Sequence, residues 1–243
     1  MNVVKDYLNY VSDILEKAKK TQEENIYKAA QLVADSCVKG GRFYVFGSGH
    51  SHMVAEEIYI RAGGFAYVRA ILPPELMLHE MPNKSTYLER LEGYSEALLE
   101  LYKVDKNDTL MIISNSGRNN VPIEMALTAK KIGCKVIALT SLKHSMNTTS
   151  RHLSGKRLFE IADIVIDNGA AIGDAAFEIE GLSTPTGPTS DGIGIIIVQA
   201  LIAQILDNLV KAGIQPPVFK SSNVDGADEY NAALFDQYYG YWK

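Results

Sequence analysis

The sequence predicts an α/β protein built on a parallel sheet with helices over both faces. Short runs that are apolar on both faces recur at residues 43–46, 66–71, 109–113, 135–139 and 164–166, the mark of strands buried on both sides. Helical patterns alternate with these runs, as they do when each parallel strand is reached by a crossover. The chain has 243 residues, 47% of them hydrophobic, and no linker-like break in composition, so one domain over 1–243 is expected.

Each element has a local cause. Residues 2–20 carry Val4, Tyr7, Leu8, Val11, Ile14, Leu15 and Ala18 at helical spacing. Thr21 and Glu24 have the spacing of a capping box and predict a second helix there, with Ile26, Ala29, Val33 and Cys37 on its inner face. Gly40-Gly41 ends it. The first apolar run leads into Gly47-Ser48-Gly49-His50-Ser51 and a helix reaching Gly63-Gly64. The second is followed by an irregular piece holding Pro73, Pro74 and Pro82, then a helix over about 85–102. The third ends in Ser114-Asn115-Ser116-Gly117-Arg118-Asn119 and a helix with Pro122 in its first turn. After the fourth come a polar stretch at 140–155, a short helix to Ala162 and the fifth run. A loop with Pro185, Gly187 and Pro188 precedes a long apolar helix over about 191–212 and an aromatic, polar tail. Of Thr186, Thr189 and Ser190, capping of that last helix is the expected role.

Composition excludes several classes. Lys+Arg number 24 against 29 Asp+Glu, a formal charge of −5, and no block of basic residues offers a footprint for nucleic acid. The most apolar stretch, 192–206, contains Gln199 and Gln204 and falls short of the ~20 residues a spanning helix needs. The first residues are charged and amphipathic, without an apolar signal core. Cys37 and Cys134 form no CxxC pair and read as reduced core thiols of a cytoplasmic protein. His50-x-His52 lacks cysteine or carboxylate partners in its motif, so neither a metal nor a cofactor is expected. His144 and His152, in the polar stretch, read as surface residues.

In an open parallel sheet, ligands lie beyond the carboxyl ends of the strands. Two such ends are unusual here. In GSGHS, two glycines allow close backbone approach, and the following helix directs its N–H groups at an anion. In SNSGRN, hydroxyls and amides run into a helix start. Together they suggest a phosphate site. Neither has a dinucleotide fingerprint or a Walker lysine, so a phosphorylated small molecule fits better than a nucleotide triphosphate.

GSGHS, the segment DTLMIISNSGRNNVPIEMALTAKKIGCKVIALTS (108–141) and ADIVID (162–167) resemble, in that order, the SIS (sugar isomerase) domain, over roughly residues 20–210. The resemblance implies a three-layer α/β/α, flavodoxin-like fold with a five-stranded parallel sheet that binds a phosphosugar. It implies a homodimer or homotetramer, with the sugar phosphate as the small-molecule partner. Carried over, it places Gly47, Ser48, Gly49, His50, Ser51, Arg61, Ser114, Asn115, Ser116, Gly117 and Asn119 at the ligand. The acidic position of the phosphoheptose isomerases falls near Arg61, with Glu57 a turn earlier. LPPELMLHE (72–80) is similar to the arabinose-5-phosphate isomerase segment that brings a glutamate and a histidine to the site. Glu75, His79 and Glu57 are therefore the acid/base candidates for an aldose–ketose isomerase. An amino-sugar phosphate lyase or etherase, and a non-catalytic phosphosugar sensor, are the alternatives.

Overall fold

The structure is a computed structural model describing residues 2–240. Five strands, β1 (Phe43–Gly47), β2 (Val68–Ile71), β3 (Thr109–Ile113), β4 (Lys135–Thr140) and β5 (Ile164–Asp167), form one sheet in the order β2-β1-β3-β4-β5. Every pairing is parallel; Val45 lies opposite Ala70 on one side and Met111 on the other. The helices are α1 (Val3–Val38), α2 (Ser51–Glu57), α3 (Lys84–Leu88), α4 (Tyr94–Leu101), α5 (Asn120–Ile132), α6 (Leu142–Met146), α7 (Ser190–Lys211) and α8 (Ala227–Tyr239).

Successive strand residues point to opposite faces, so each strand feeds two cores. Phe43 and Val45 of β1 and Met111 and Ile113 of β3 pack with α1, α2 and α7. Tyr44 and Phe46, with Leu110 and Ile112, pack against α4 and α5 on the other side. This explains why the strands are largely apolar on both faces rather than at alternate positions, with Arg69 in β2 an exception.

Several elements differ from expectation. α1 runs unbroken for 36 residues. No glycine or proline interrupts it, and Thr21 Oγ1 donates to Lys17 O (3.0 Å) while Glu24 pairs with Lys28 (2.6 Å), so the apparent capping box is interior helix. The helix expected over 85–102 is split into α3 and α4 at Gly93, where φ is 79°. α2 ends at Glu57, well before Gly63. At α7 the capping acceptor is Asp174, whose carboxylate takes Thr189 N (3.1 Å), Ser190 N (2.9 Å) and Ser190 Oγ (2.6 Å); the Thr189 hydroxyl makes no capping bond.

α7 has 22 residues and a mean hydropathy of 2.0 over 18 of them, long and apolar enough by composition to cross a membrane, which corrects the shorter stretch read from sequence. Its packing explains its character here: Ile193, Val198, Leu201 and Ile205 are buried against α1 and the sheet. Part of the tail is the helix α8, which caps the sheet edge at β2. Tyr239 donates its hydroxyl to Val68 O (2.8 Å), and its ring lies 3.7 Å below the Arg69 guanidinium. Phe235 and Tyr238 stack on Phe219 and Tyr67 of the same chain; Tyr241 and Trp242 lie outside the described residues. Cys37 and Cys134 are free and buried, and burial pushes both thiols up to about 12.

Candidate functional site

The strand order reverses direction between β1 and β3, and at such a point the crevice beyond the strand ends opens. The loops leaving these two strands are GSGHS and SNSGRN, so the topology brings together the two segments singled out in the sequence.

The first loop turns tightly. A Cβ on Gly47 would stand 2.3 Å from Ser51 O, so only glycine lets β1 pass this close to the start of α2. Gly49 adopts φ 56° and donates its N–H to Leu76 O (2.8 Å), joining the loop to the proline-rich segment after β2. In the second loop Gly117 adopts φ 58° and donates to Ser114 Oγ (3.2 Å). Asn115 is fixed from β4 and beyond: its carbonyl accepts from Thr140 Oγ1 (3.2 Å) and Ser141 N (3.1 Å), and Asn168 Nδ2 donates to its Oδ1 (3.2 Å). Asn119 stands at the N-cap position of α5, a helix of 13 residues, without a side-chain capping bond. α2 has only seven, so α5 supplies the longer dipole at this end of the sheet.

The two loops meet on Glu89, a residue the sequence reading did not single out. Ser48 Oγ donates to its Oε2 (2.8 Å) and Asn119 Nδ2 to its Oε1 (2.6 Å). Desolvation pushes this carboxyl above the ordinary glutamate value, partly offset by the Ser48 hydroxyl, Arg90 and Arg151. Arg151 in turn donates to Asn119 Oδ1 (2.7 Å) and lies within electrostatic reach of Arg118 and Arg90. Three arginines far apart in sequence thus converge beside the second loop, a positive patch in an acidic chain. By contrast, the Ser51 and Ser116 hydroxyls, both half-buried, make no hydrogen bond among the described residues. Nearby, Arg118 Nε, His144 Nδ1, Ser145 Oγ and Thr189 Oγ1 are buried without partners. His144 is half-buried rather than superficial; burial pushes its pKa down, opposed by Asp174 and reinforced by Arg118.

The expected acid/base residues occupy three different settings. Glu57 is tied to Arg61, one turn on, and accepts from Gln199 Nε2 of α7 (3.0 Å). Arg61 also lines a cavity with Phe219, Lys220, Asp228 and Phe235, which places this pair at the end of α2 away from the first loop. Glu75 takes the Tyr94 hydroxyl, and that bond holds its carboxyl below the usual range. The exposed His79 ring lies 5.3 Å from that of His52 on α2; His50 is exposed beside it.

Residues 6–141 match the family model described as the SIS domain. The chain belongs to the SIS-domain family. This SIS-domain chain is 60% identical over 233 residues, 96% of each protein, to the UPF0309 protein BH3325 of Halalkalibacterium halodurans. Its fold is that of the phosphoheptose isomerase GmhA from Neisseria gonorrhoeae, at TM-score 0.55 and 17% identity over 84% of this chain and 97% of that one. The NanR protein of Vibrio vulnificus, complexed with ManNAc-6P, is similar at TM-score 0.54 and 15% identity, covering 97% and 70%. The SIS-domain fold therefore accounts for the five-stranded sheet and its reversal between β1 and β3.

Proposed function

We propose that this SIS-domain protein binds a phosphosugar in the crevice between its two loops and interconverts the aldose and ketose forms, with Glu89 moving the proton. The observation that carries this reading is the Glu89 carboxylate, held between Ser48 of one loop and Asn119 of the other. The phosphate is received by the Ser51 and Ser116 hydroxyls, the Asn120 N–H at the start of α5 and the arginine patch; Val121 N is taken by Glu89 O and Pro122 has no N–H to offer. Such a set suits a dianion in a protein whose overall charge is −5. The sugar-phosphate ligand of NanR and the activity named for GmhA favour the same ligand class.

Isomerisation needs a base to take the proton from C2 of the open-chain aldose and return it to C1 after the double bond shifts. A carboxyl raised above its free value, as burial raises Glu89, is a stronger base than a free one and still holds a transferred proton. Glu75 and His79, carried on the segment that Gly49 anchors through Leu76, cover the sugar. Glu57 and Arg61 shape the far end of α2. In a homodimer or homotetramer the subunits would meet on the apolar groove where Ile196 and Ala200 of α7 flank Leu15, Ile26 and Tyr27 of α1, a state that sedimentation measures. With both thiols buried and reduced, a cytoplasmic setting suits the protein.

The test is a thermal-shift panel of C5–C7 sugar phosphates and amino-sugar phosphates, followed by solvent deuterium exchange into any ligand found. Exchange by the native protein and none by Glu89→Gln, with binding retained, is expected. Exchange that survives Glu89→Gln removes Glu89 from the chemistry. Binding with no exchange by the native protein leaves a sensor, and release of a substituent leaves a lyase or etherase.

A further inference from the structure

We propose that His52, Glu56 and His79 form a divalent-metal site of the zinc type, which pins the segment after β2 onto α2 beside the first loop. His52 and Glu56 stand four residues apart on α2 and so share one face. The His52 side chain is buried, at 2% exposure, while Glu56 and His79 reach it from the solvent side. Nδ1 of His52 meets Gly49 O, and a carbonyl can only accept, so Nδ1 carries the proton. In the neutral ring that leaves Nε2 as a lone pair, and Nε2 faces the Glu56 carboxylate at 3.8 Å. A metal ion between the two groups, or a second proton on the ring, would satisfy this contact.

His79 completes the set. Its ring lies edge-on to His52, 5.3 Å between centroids, and one donor atom from each of the three residues falls within 4.8 Å of the other two. Tetrahedral zinc, with bonds of about 2.0–2.2 Å, spaces its donors roughly 3.3–3.6 Å apart. The donors would have to close by at most about 1.5 Å, a movement the two exposed side chains would have to make on binding. The backbone carbonyl behind His52 is the kind of partner that fixes tautomer and ring direction in metal-bound histidines. Two imidazoles and one carboxylate are a zinc donor set that leaves a fourth position for water or a substrate oxygen. The sequence shows only His50-x-His52; the ligating set uses one of these two, with a carboxylate one turn on and a histidine from a distant segment. Metal binding stands or falls independently of sugar-phosphate binding.

The experiment uses untagged full-length protein, stripped with a chelator and titrated with Zn²⁺ against a chromophoric competitor, without sugar phosphate. One zinc per chain is expected, with a higher melting temperature and, on replacement by Co²⁺, the visible absorption of a tetrahedral site. Glu56→Gln and His79→Ala change exposed side chains and leave the fold intact. Each is expected to weaken zinc binding by roughly a hundredfold and to abolish the stabilisation, whereas His152→Ala leaves both unchanged. The site is overturned if the native protein takes up no stoichiometric zinc. It is equally overturned if Glu56→Gln and His79→Ala bind zinc as tightly as the native protein.

Discussion

Gly47→Ala is the sharpest probe of how the first loop is built. A methyl at this position would sit 2.3 Å from Ser51 O, 2.5 Å from Ser51 C and 2.8 Å from His52 N, where ordinary contacts begin near 3.4 Å. All three atoms are backbone at the start of α2, so relief requires the first turn to retreat by about 1 Å, against a packed core in which Val54 and Ala55 are buried. Overpacking of this kind costs ~2–3 kcal/mol. Gly49→Ala is the matched control. Its φ of 56° disfavours alanine, but the nearest atom to a new Cβ is Ser85 Oγ at 3.8 Å, so only the left-handed backbone is penalised, by ~1 kcal/mol. For a chain of this size each kcal/mol lowers the melting temperature by ~2–4 °C. Calorimetric melting should therefore place Gly47→Ala ~4–12 °C below the native protein and Gly49→Ala only ~2–4 °C below it. Because the retreat displaces Ser51, the Gly47 variant should also lose ligand-induced stabilisation. A Gly47→Ala protein that melts with the native one, or above Gly49→Ala, would refute the close strand-to-helix approach on which the site rests.

Asp174→Ala removes the carboxylate that accepts three hydrogen bonds at the start of α7 and should cost ~1–2 kcal/mol in urea unfolding; Thr189→Ala, whose hydroxyl makes no capping bond, should cost much less. Tyr94→Phe deletes the hydroxyl that holds the Glu75 carboxyl below its ordinary range. A depressed carboxyl stabilises the fold above its unfolded pKa and loses that contribution as pH falls through the folded one. The native-minus-variant stability difference should thus be about 1 kcal/mol at neutral pH and shrink on acidification below the usual glutamate range. A difference that grows toward acid would contradict the assignment. Tyr239→Phe removes one of two donors to Val68 O at the covered sheet edge, Arg69 Nη1 (3.0 Å) remaining, and should cost ~0.5–1 kcal/mol by the same assay.

Much of the architecture was legible because strand and helix periodicities differ and because the five strands are apolar on both faces. The two strand-end loops were legible for the same reason: GSGHS and SNSGRN each follow a completed apolar run. What escaped was long-range. Glu89, Arg90 and Arg151 look like ordinary surface charges in sequence, and only folding of the chain around β1 and β3 brings them to Ser48 and Asn119. Thr21 and Glu24 mimic a helix start, yet a local capping signal does not end a helix that has no glycine or proline to stop it and a continuous inner face on α7. The cap of α7 was sought among adjacent hydroxyls and comes from Asp174, across a loop. His52 offered only a neighbouring histidine in sequence, whereas the fold adds Glu56 and His79.

The central claim is that the two strand-end loops jointly hold a phosphosugar, and calorimetric titration tests it most directly. With the sugar phosphate that gives the largest thermal shift, the native protein should bind with one site per chain, and Ser116→Ala should bind ~1–3 kcal/mol more weakly through loss of a charge-assisted hydrogen bond. Equal affinity in the two proteins, or no binding of any sugar phosphate by the native one, would contradict it.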